Sequence, residues 1–262
     1  MVVKIGGSKG INYDLVLTDL IKYKEVVIVH GGSDELNTIS IKLGKPPQMI
    51  TSTSGFVSRR TDRETLEIFN MVYCGKMNKM IVEKLQRLGV NAIGLSGIDG
   101  RLLIGKRKDI VVSENGKKKI LHDDYTGKVE DVNVGLLQVL LQHGYLPVIT
   151  PPALSYENEA INVDGDRAAA VIACKLHADV LIILLNKPGL LEDENDETSI
   201  VREVTPETYN QALVYAKERM KKKVLGAYEA INAGVNKVIF ADARINDPIT
   251  NALQGHGTVI HL

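Results

Sequence analysis

The sequence predicts an α/β fold: an open, mostly parallel sheet flanked by helices, with a β-hairpin excursion. Three observations carry this expectation. Short runs of branched residues recur at spacings too long for hairpins, amphipathic stretches of helical period fill most of the gaps, and the alternation persists over all 262 residues. Buried strands are expected over residues 2–5, 26–29, 92–95, 146–150, 180–185, 237–240 and 258–261. Helices are expected over 13–23, 62–88, 132–143, 167–177 and 224–233. Two segments break the rhythm. Residues 101–121 read Leu-Leu-Ile, Ile-Val-Val, an Asn115-Gly116 turn and Ile-Leu, a short antiparallel excursion. Residues 192–197 carry five acids in six positions, the pattern of a solvated loop.

With 44% apolar and 24% charged side chains, the chain can bury a sizeable core and lies far from the composition of disordered segments. Its 32 basic and 32 acidic residues cancel, so no global field draws it to nucleic acid or an anionic membrane, and any polyanion site has to be local. Cys74 and Cys174 occupy apolar, helix-like contexts and match no metal-ligand spacing, which reads as buried thiols in a reducing compartment. No apolar run reaches ten residues and strand character begins at Val2, so neither an anchor nor a leader is expected and the expected location is cytoplasmic.

Chemistry enters at the strand ends. The runs Val3-Lys4-Ile5-Gly6-Gly7-Ser8 and Val27-Ile28-Val29-His30-Gly31-Gly32-Ser33 both finish in paired glycines. Open parallel sheets bind ligands at the carboxyl ends of their strands, and glycine there lets backbone N–H groups approach a phosphate with no Cβ in the way. One such pair would serve as well for a tight turn; two in successive βα units point to phosphate. Neither the Walker pattern nor the dinucleotide fingerprint occurs, and residues 100–106 only imitate the former, because their middle reads as strand and no hydroxyl follows the lysine. In Asn162-Val163-Asp164-Gly165-Asp166-Arg167, polar groups precede a small-residue helix, and Asp166 is either its N-cap or a functional carboxylate. Thr61 or Asp62 is expected to cap the long helix after Arg59-Arg60. Met220-Lys221-Lys222-Lys223-Val224 opens another helix and, taken alone, reads as a solvated basic cluster.

Taken in order, these pieces resemble the amino acid kinase family, in its acetylglutamate kinase branch, over the whole chain. Within that branch, Ser58-Arg59-Arg60-Thr61-Asp62, Leu66-Glu67-Ile68-Phe69, Tyr125-Thr126-Gly127-Lys128-Val129 and the 162–166 and 234–239 segments are most similar to the archaeal LysZ group, kinases of aminoadipate or glutamate held on the amino-group carrier protein LysW. The resemblance implies a carbamate-kinase-like αβα sandwich as one domain over 1–262, with a substrate-binding and dimerisation half over about 1–165 and a nucleotide half over 166–262. It implies that Lys4 and Lys223 are transition-state lysines and that Asp166 holds both. It assigns substrate binding to Gly32, Ser33, Arg59 and Asn162, and nucleotide binding to Gly7, Gly31, Asn186, Lys187, Gly189 and Lys221. The cofactors implied are ATP and Mg2+, the latter carried by the nucleotide phosphates with no protein metal site. Three positions depart from the family pattern: Ser33 replaces a third glycine, Asn186 after Leu185 replaces a Ser/Thr-Asp pair, and Glu218-Arg219 replaces Gly-Gly or Pro-Gly. The resemblance also implies a homodimer around the long helix, where Leu66, Ile68, Phe69, Val72 and Tyr73 exceed one buried stripe, and no room before Lys4 for the extra helix of arginine-regulated relatives.

The expected activity is ATP-dependent phosphorylation of the side-chain carboxylate of carrier-bound aminoadipate or glutamate, giving an acyl phosphate in lysine or arginine biosynthesis. A carboxylate of ordinary pKa, about 4.3, is ionised at neutral pH and needs no general base. It needs charge control, because two anions meet and negative charge spreads over the transferring oxygens. His30 is accordingly expected to be structural. Two alternatives stand: N-acetylglutamate kinase acting on the free molecule, and a non-catalytic nucleotide sensor, which the joint presence of Lys4, Asp166 and Lys223 opposes. The excursion sets Arg101, Lys106, Arg107, Lys108, Lys117, Lys118 and Lys119 against only Asp109 and Glu114, which reads equally as a dock for an acidic carrier and as a solubilising edge.

Overall fold

Branched side chains on both sides of a strand leave it no face for solvent, and the strands with that pattern assemble into one sheet. The computed structural model describes residues 1–51, 57–114 and 117–261, without the side chains of 112–114, 117–119 and 218. Among these residues, β1 (Val2–Ile5), β2 (Val27–His30), β3 (Ala92–Ser96), β4 (Leu146–Thr150), β5 (Val180–Leu185), β6 (Glu203–Val204), β7 (Lys237–Asp242) and β8 (Thr258–Ile260) share a sheet ordered β6-β8-β7-β5-β1-β2-β4-β3. Neighbours run parallel except β7 and β8. The flanking helices are α1 (Tyr13–Leu20), α2 (Ser33–Lys42), α3 (Arg63–Asn70), α4 (Asn78–Arg87), α5 (Val134–Gln142), α6 (Gly165–Lys175), α7 (Tyr209–Tyr215), α8 (Glu218–Asn232) and α9 (Pro248–Leu253).

Successive residues of β1 point to opposite faces. Val3 and Ile5 enter a core with Leu17, Ile81 and Ile249 from α1, α4 and α9, whereas Val2 joins a second core with Ile172 and Val224 from α6 and α8. This phase sends Lys4 towards α6, between Val29 of β2 and Ile183 of β5 in the ladder. On the first face, Asp19 of α1 reaches across to the start of α9, accepting from Ile249 N at 2.7 Å, Thr250 N at 2.8 Å and the Thr250 hydroxyl at 2.6 Å. The left-handed Asp247 before α9 offers no side-chain cap, so Asp19 caps that helix from a different element.

Several expectations are corrected. The excursion over 101–121 divides. Leu103–Arg107 pairs with Gly127–Val132 and Ala153–Ser155 in a four-stranded sheet, because Leu103 finds burial beside Val129 and Val132. Only Ile110–Glu114 and Lys117–Leu121 form a hairpin, whose Asn115-Gly116 turn lies outside the described residues, as do the side chains of Lys117, Lys118 and Lys119. The long helix is capped by Asp62, which accepts from Thr65 N at 2.9 Å, but between α3 and α4 it widens into a π-helical segment, Met71–Met77. Leu66, Ile68, Phe69, Val72 and Tyr73 are consumed within the chain itself, packing with Leu36 and Met77, so they leave no surplus stripe for a second copy. Neither cysteine is fully buried: both are half-buried and free. Burial pushes the Cys74 thiol up to about 11, and Cys174 Sγ donates to Ala233 O at 2.8 Å. No helix among the described residues is long and apolar enough to cross a membrane.

Candidate active site

The turns after β1 and β2 lie against one another. A Cβ on Gly7 would sit 2.3 Å from Gly32 N and 2.6 Å from Ser33 N, so only glycine fits. Gly7 O accepts from Asp34 N at 2.9 Å and from Ser33 Oγ at 3.0 Å, which turns the serine hydroxyl onto the neighbouring turn as α2 begins.

Lys4 rises from β1 beneath the first turn of α6, where the cap question is decided. Asp164 is the N-cap, its Oδ1 accepting from Asp166 N at 2.9 Å and Arg167 N at 3.0 Å. Asp166 is therefore released to face Lys4 Nζ at 2.7 Å through Oδ1 and to accept from Lys223 Nζ, on α8, through Oδ2. Burial alone would raise the Asp166 pKa, but Lys223 and Lys4 outweigh it and hold the carboxyl well below the usual range. Burial lowers the Lys4 ammonium from its ordinary value, with Asp166 opposing. Two lysines on one aspartate leave a surplus positive charge in a poorly hydrated place, and an arriving anion would complete its compensation.

These groups open into a cavity of about 1110 Å³ whose described lining carries nine basic side chains against five acidic ones, a local excess on a chain of net charge +0. Arg59 reaches it from the strand Val57–Arg59, its Nη2 donating to Asn37 Oδ1 while its buried Nη1 has no partner among the described residues. Burial lowers the Arg59 pKa from its ordinary value. Asn162 lines the cavity beside Arg59, its Nδ2 donating to Thr61 Oγ1 at 3.0 Å and that hydroxyl to Arg59 O at 3.3 Å. Thr61 N and Thr126 N both donate to the fully buried Asp124 carboxylate, at 3.1 and 2.8 Å, which fixes this wall.

Of the remaining positions implied by resemblance, Gly31, Gly32, Asn186, Lys187 and Gly189 line the same cavity. Asn186 Nδ2 donates to Lys9 O at 3.1 Å and Lys187 Nζ to Glu194 O at 2.9 Å, tying the acidic loop to this rim. Lys221 does not line it; the helix turns that residue outward and exposes it. Lys222 lines it instead, with its Nζ donating to Val57 O at 2.8 Å. Sequence reasoning also missed Asn37, Lys108, Arg167 and Arg219 as lining residues. Helical phase counted from Lys223 was the available signal for Arg219, one turn earlier on the same face.

His30 is fully buried, with Nδ1 3.0 Å from Gly31 O and Nε2 3.2 Å from Asn78 Nδ2. The neutral ring donating from Nδ1 and accepting at Nε2 satisfies both contacts, and burial lowers its pKa to about 4. The basic residues of the former excursion have parted company. Lys108 lines the cavity, whereas Arg107 is engaged internally, donating to Asp124 O at 2.8 Å and lying 4.1 Å over the Tyr125 ring. Among the described residues, no group of three or more His, Cys, Asp or Glu side chains converges as a metal site.

The model of the amino acid kinase family matches residues 1–242. The chain belongs to this family. Curated relatives include a [LysW]-aminoadipate kinase of Deinococcus radiodurans, 58% identical across 99% of this chain and 91% of that protein. Another from Thermus thermophilus, of the same description, is 55% identical across 99% of each. A [LysW]-aminoadipate/[LysW]-glutamate kinase of the archaeon Saccharolobus solfataricus is 38% identical across 99% and 98%. Among solved structures, the carbamate kinase of Giardia superposes with a TM-score of 0.69 at 14% identity over 99% and 97% of the chains, which shows the fold alone. In this family the fold is the expected open αβα sandwich, and the chain is a kinase by descent.

Proposed function

We propose that this kinase transfers the γ-phosphoryl group of ATP to the side-chain carboxylate of aminoadipate, or of glutamate, held on the carrier protein LysW. The observation that carries the reading is Asp166 shared by Lys4 and Lys223 beside the back-to-back glycine turns. The attacking carboxylate is already ionised, so the chain supplies no base. A carboxylate oxygen bonds to the γ-phosphorus as the bond to the β-phosphate bridge breaks, and ADP departs with that electron pair. Lys4 and Lys223 face the charge that spreads over the transferring and leaving oxygens, and Asp166 fixes both beforehand, so little reorganisation is needed during transfer. The lysines and the N–H groups of the glycine turns would hold the phosphates of a magnesium nucleotide, and the metal, when bound with them, would supply neutralisation of part of their charge.

Arg59 and Asn162 hold the substrate within the half of the chain before residue 166, and Asn186, Lys187 and Gly189 flank the nucleotide in the half after it. A homodimer working in the cytoplasm completes the reading, its contact formed by residues other than the five apolar ones buried within the long helix. The names of the relatives favour a carrier-bound substrate over free N-acetylglutamate. The deciding experiment measures ADP release and acyl phosphate, trapped as hydroxamate, with LysW-linked aminoadipate, LysW-linked glutamate and free N-acetylglutamate. Turnover of either linked substrate well above the free one is expected; preference for the free one overturns the carrier assignment.

A further inference from the structure

Resting on the kinase reading above, we infer that Arg219 joins Arg59 in gripping the non-reacting carboxylate of the substrate, and so helps to decide which acids are accepted. The geometry begins in α8. Residues 219, 222, 223 and 226 recur at three- and four-residue intervals, and all four line the cavity, which defines the inward face of that helix. Lys223 on this face reaches Asp166 at the reacting centre. Arg219 lies four residues nearer the amino end of the helix, about 6 Å along its axis, the kind of spacing that separates two carboxylates of one small dicarboxylic acid.

The same face is pinned to the strand that carries Arg59. Lys222 Nζ donates to Val57 O at 2.8 Å, and Arg59 follows two residues later on the same side of that strand. Arg219 and Arg59 line the same cavity, close enough that the positive charge of Arg219 contributes, after burial, to depressing the Arg59 pKa. Two such guanidinium groups repel unless an anion sits between them. Three of the five acids lining the cavity are engaged elsewhere: Asp166 by its lysines, Asp164 as the cap of α6, and Glu229 by Arg167 at 2.8 Å. Arg59 Nη1, buried and without a partner among the described residues, is the donor left waiting. A carboxylate bridging Arg59 Nη1 and Arg219 would satisfy this donor and quench the repulsion together. The attacking carboxylate cannot be that anion, because it has to meet the phosphoryl group beside Lys4 and Lys223.

The test is a cycle between protein and substrate. Linked aminoadipate is compared with the same linked substrate whose non-reacting carboxylate has been converted to a carboxamide, in the unaltered protein and in Arg219→Gln. The variant should raise KM for the linked acid about 10- to 100-fold, with kcat and KM for ATP changed less than about threefold, and Arg219→Lys should recover part of the loss. The carboxamide should weaken binding strongly in the unaltered protein and at least about threefold less in Arg219→Gln. An undiminished carboxamide penalty in the variant overturns the inference, as does a rise in KM for ATP or an unaffected KM for the acid. Thermal melting of both variants identifies a mere folding defect, and Arg219→Ala repeats the cycle where one melts early. If the unaltered protein phosphorylates no carboxylate, the kinase reading itself has failed; if it does and the variant is indifferent, only the role of Arg219 has.

Discussion

Two aspartates sit on opposite faces of the central sheet and differ in how much positive charge faces them, one ammonium group against two. Asp19 receives two backbone N–H groups and a hydroxyl at the start of α9, with Lys22 at its edge, while Asp166 lies between two lysine ammonium groups. Burial would raise both pKa values and both are held below the ordinary range, Asp19 by hydrogen bonds from Thr250 and Asp166 by Lys223 and Lys4. A lowered carboxyl pKa therefore does not mark a catalytic site. The donors do. Neutral donors and a single lysine balance Asp19 and make it a clip between helices, whereas the second lysine on Asp166 leaves a cationic surplus that a reacting anion can use.

The largest effect should come from removing charge at the second site. Lys223→Ala should lower kcat by about 10²- to 10³-fold, the scale of losing one preorganised donor, and Asp166→Asn should lower it at least as far because both lysines lose their anchor. Asp19→Asn should leave kcat within about twofold while lowering stability by about 1–3 kcal/mol, measured by urea denaturation. A large kcat loss in Asp19→Asn would erase the contrast.

Arg59→Lys sharpens it further along the cavity. A single ammonium cannot reproduce two parallel hydrogen bonds, so KM for the carboxylate substrate should rise about tenfold or more with KM for ATP nearly constant. Equal increases in both constants would remove Arg59 from the substrate clamp.

His30 offers a third kind of buried polar group, one that the fold keeps uncharged. Its pKa falls to about 4 in the folded chain, below its ordinary 6.5, so the unfolded chain binds more protons between these values. Stability should rise with pH across that window, by on the order of 3 kcal/mol at most, and be complete above about pH 6.5. Denaturation at pH 4.5 and 7 measures the slope, which His30→Gln should flatten; an unchanged slope in that variant assigns it to other groups. The smallest effect belongs to Arg60, whose exposed pair with Asp123 at 2.5 Å should contribute at most about 1 kcal/mol, so Arg60→Ala should change neither kinetic constant.

Much of this architecture was legible in the sequence, for reasons that differ from element to element. The runs that became β1, β2 and β5 are short, branched and followed by turn residues, and no other structure buries both of their faces. Lys4, Asp166 and Lys223 were found through the order of motifs, since nothing local to any one of them announces the other two. Phase was harder. Three consecutive lysines do not reveal which faces inward, and the helix chose Lys222 and Lys223 over Lys221. Asp164 and Asp166 both satisfy the rule for a cap, and only the backbone of α6 separates them. Leu103 reads equally well in a local hairpin and in a distant pairing, and it went to the partner that buries it more completely. The Met49–Thr51 and Val57–Arg59 pair, with exposed apolar residues and little alternation, carried no signal.

The widened segment Met71–Met77 has a consequence for lineage more than for chemistry. A π segment is an α-helix holding one residue too many, so a chain lacking any single residue there could close an ordinary helix at that point. Tightening the segment to an ordinary helix without losing that residue would instead turn everything downstream by about 100°. Asn78, which holds the His30 ring and Val148 O, would swing off both. The widened turn between Phe69 and Asn78 therefore absorbs the extra residue, and its backbone, more than any one side chain along it, keeps the second half of the helix in phase with His30.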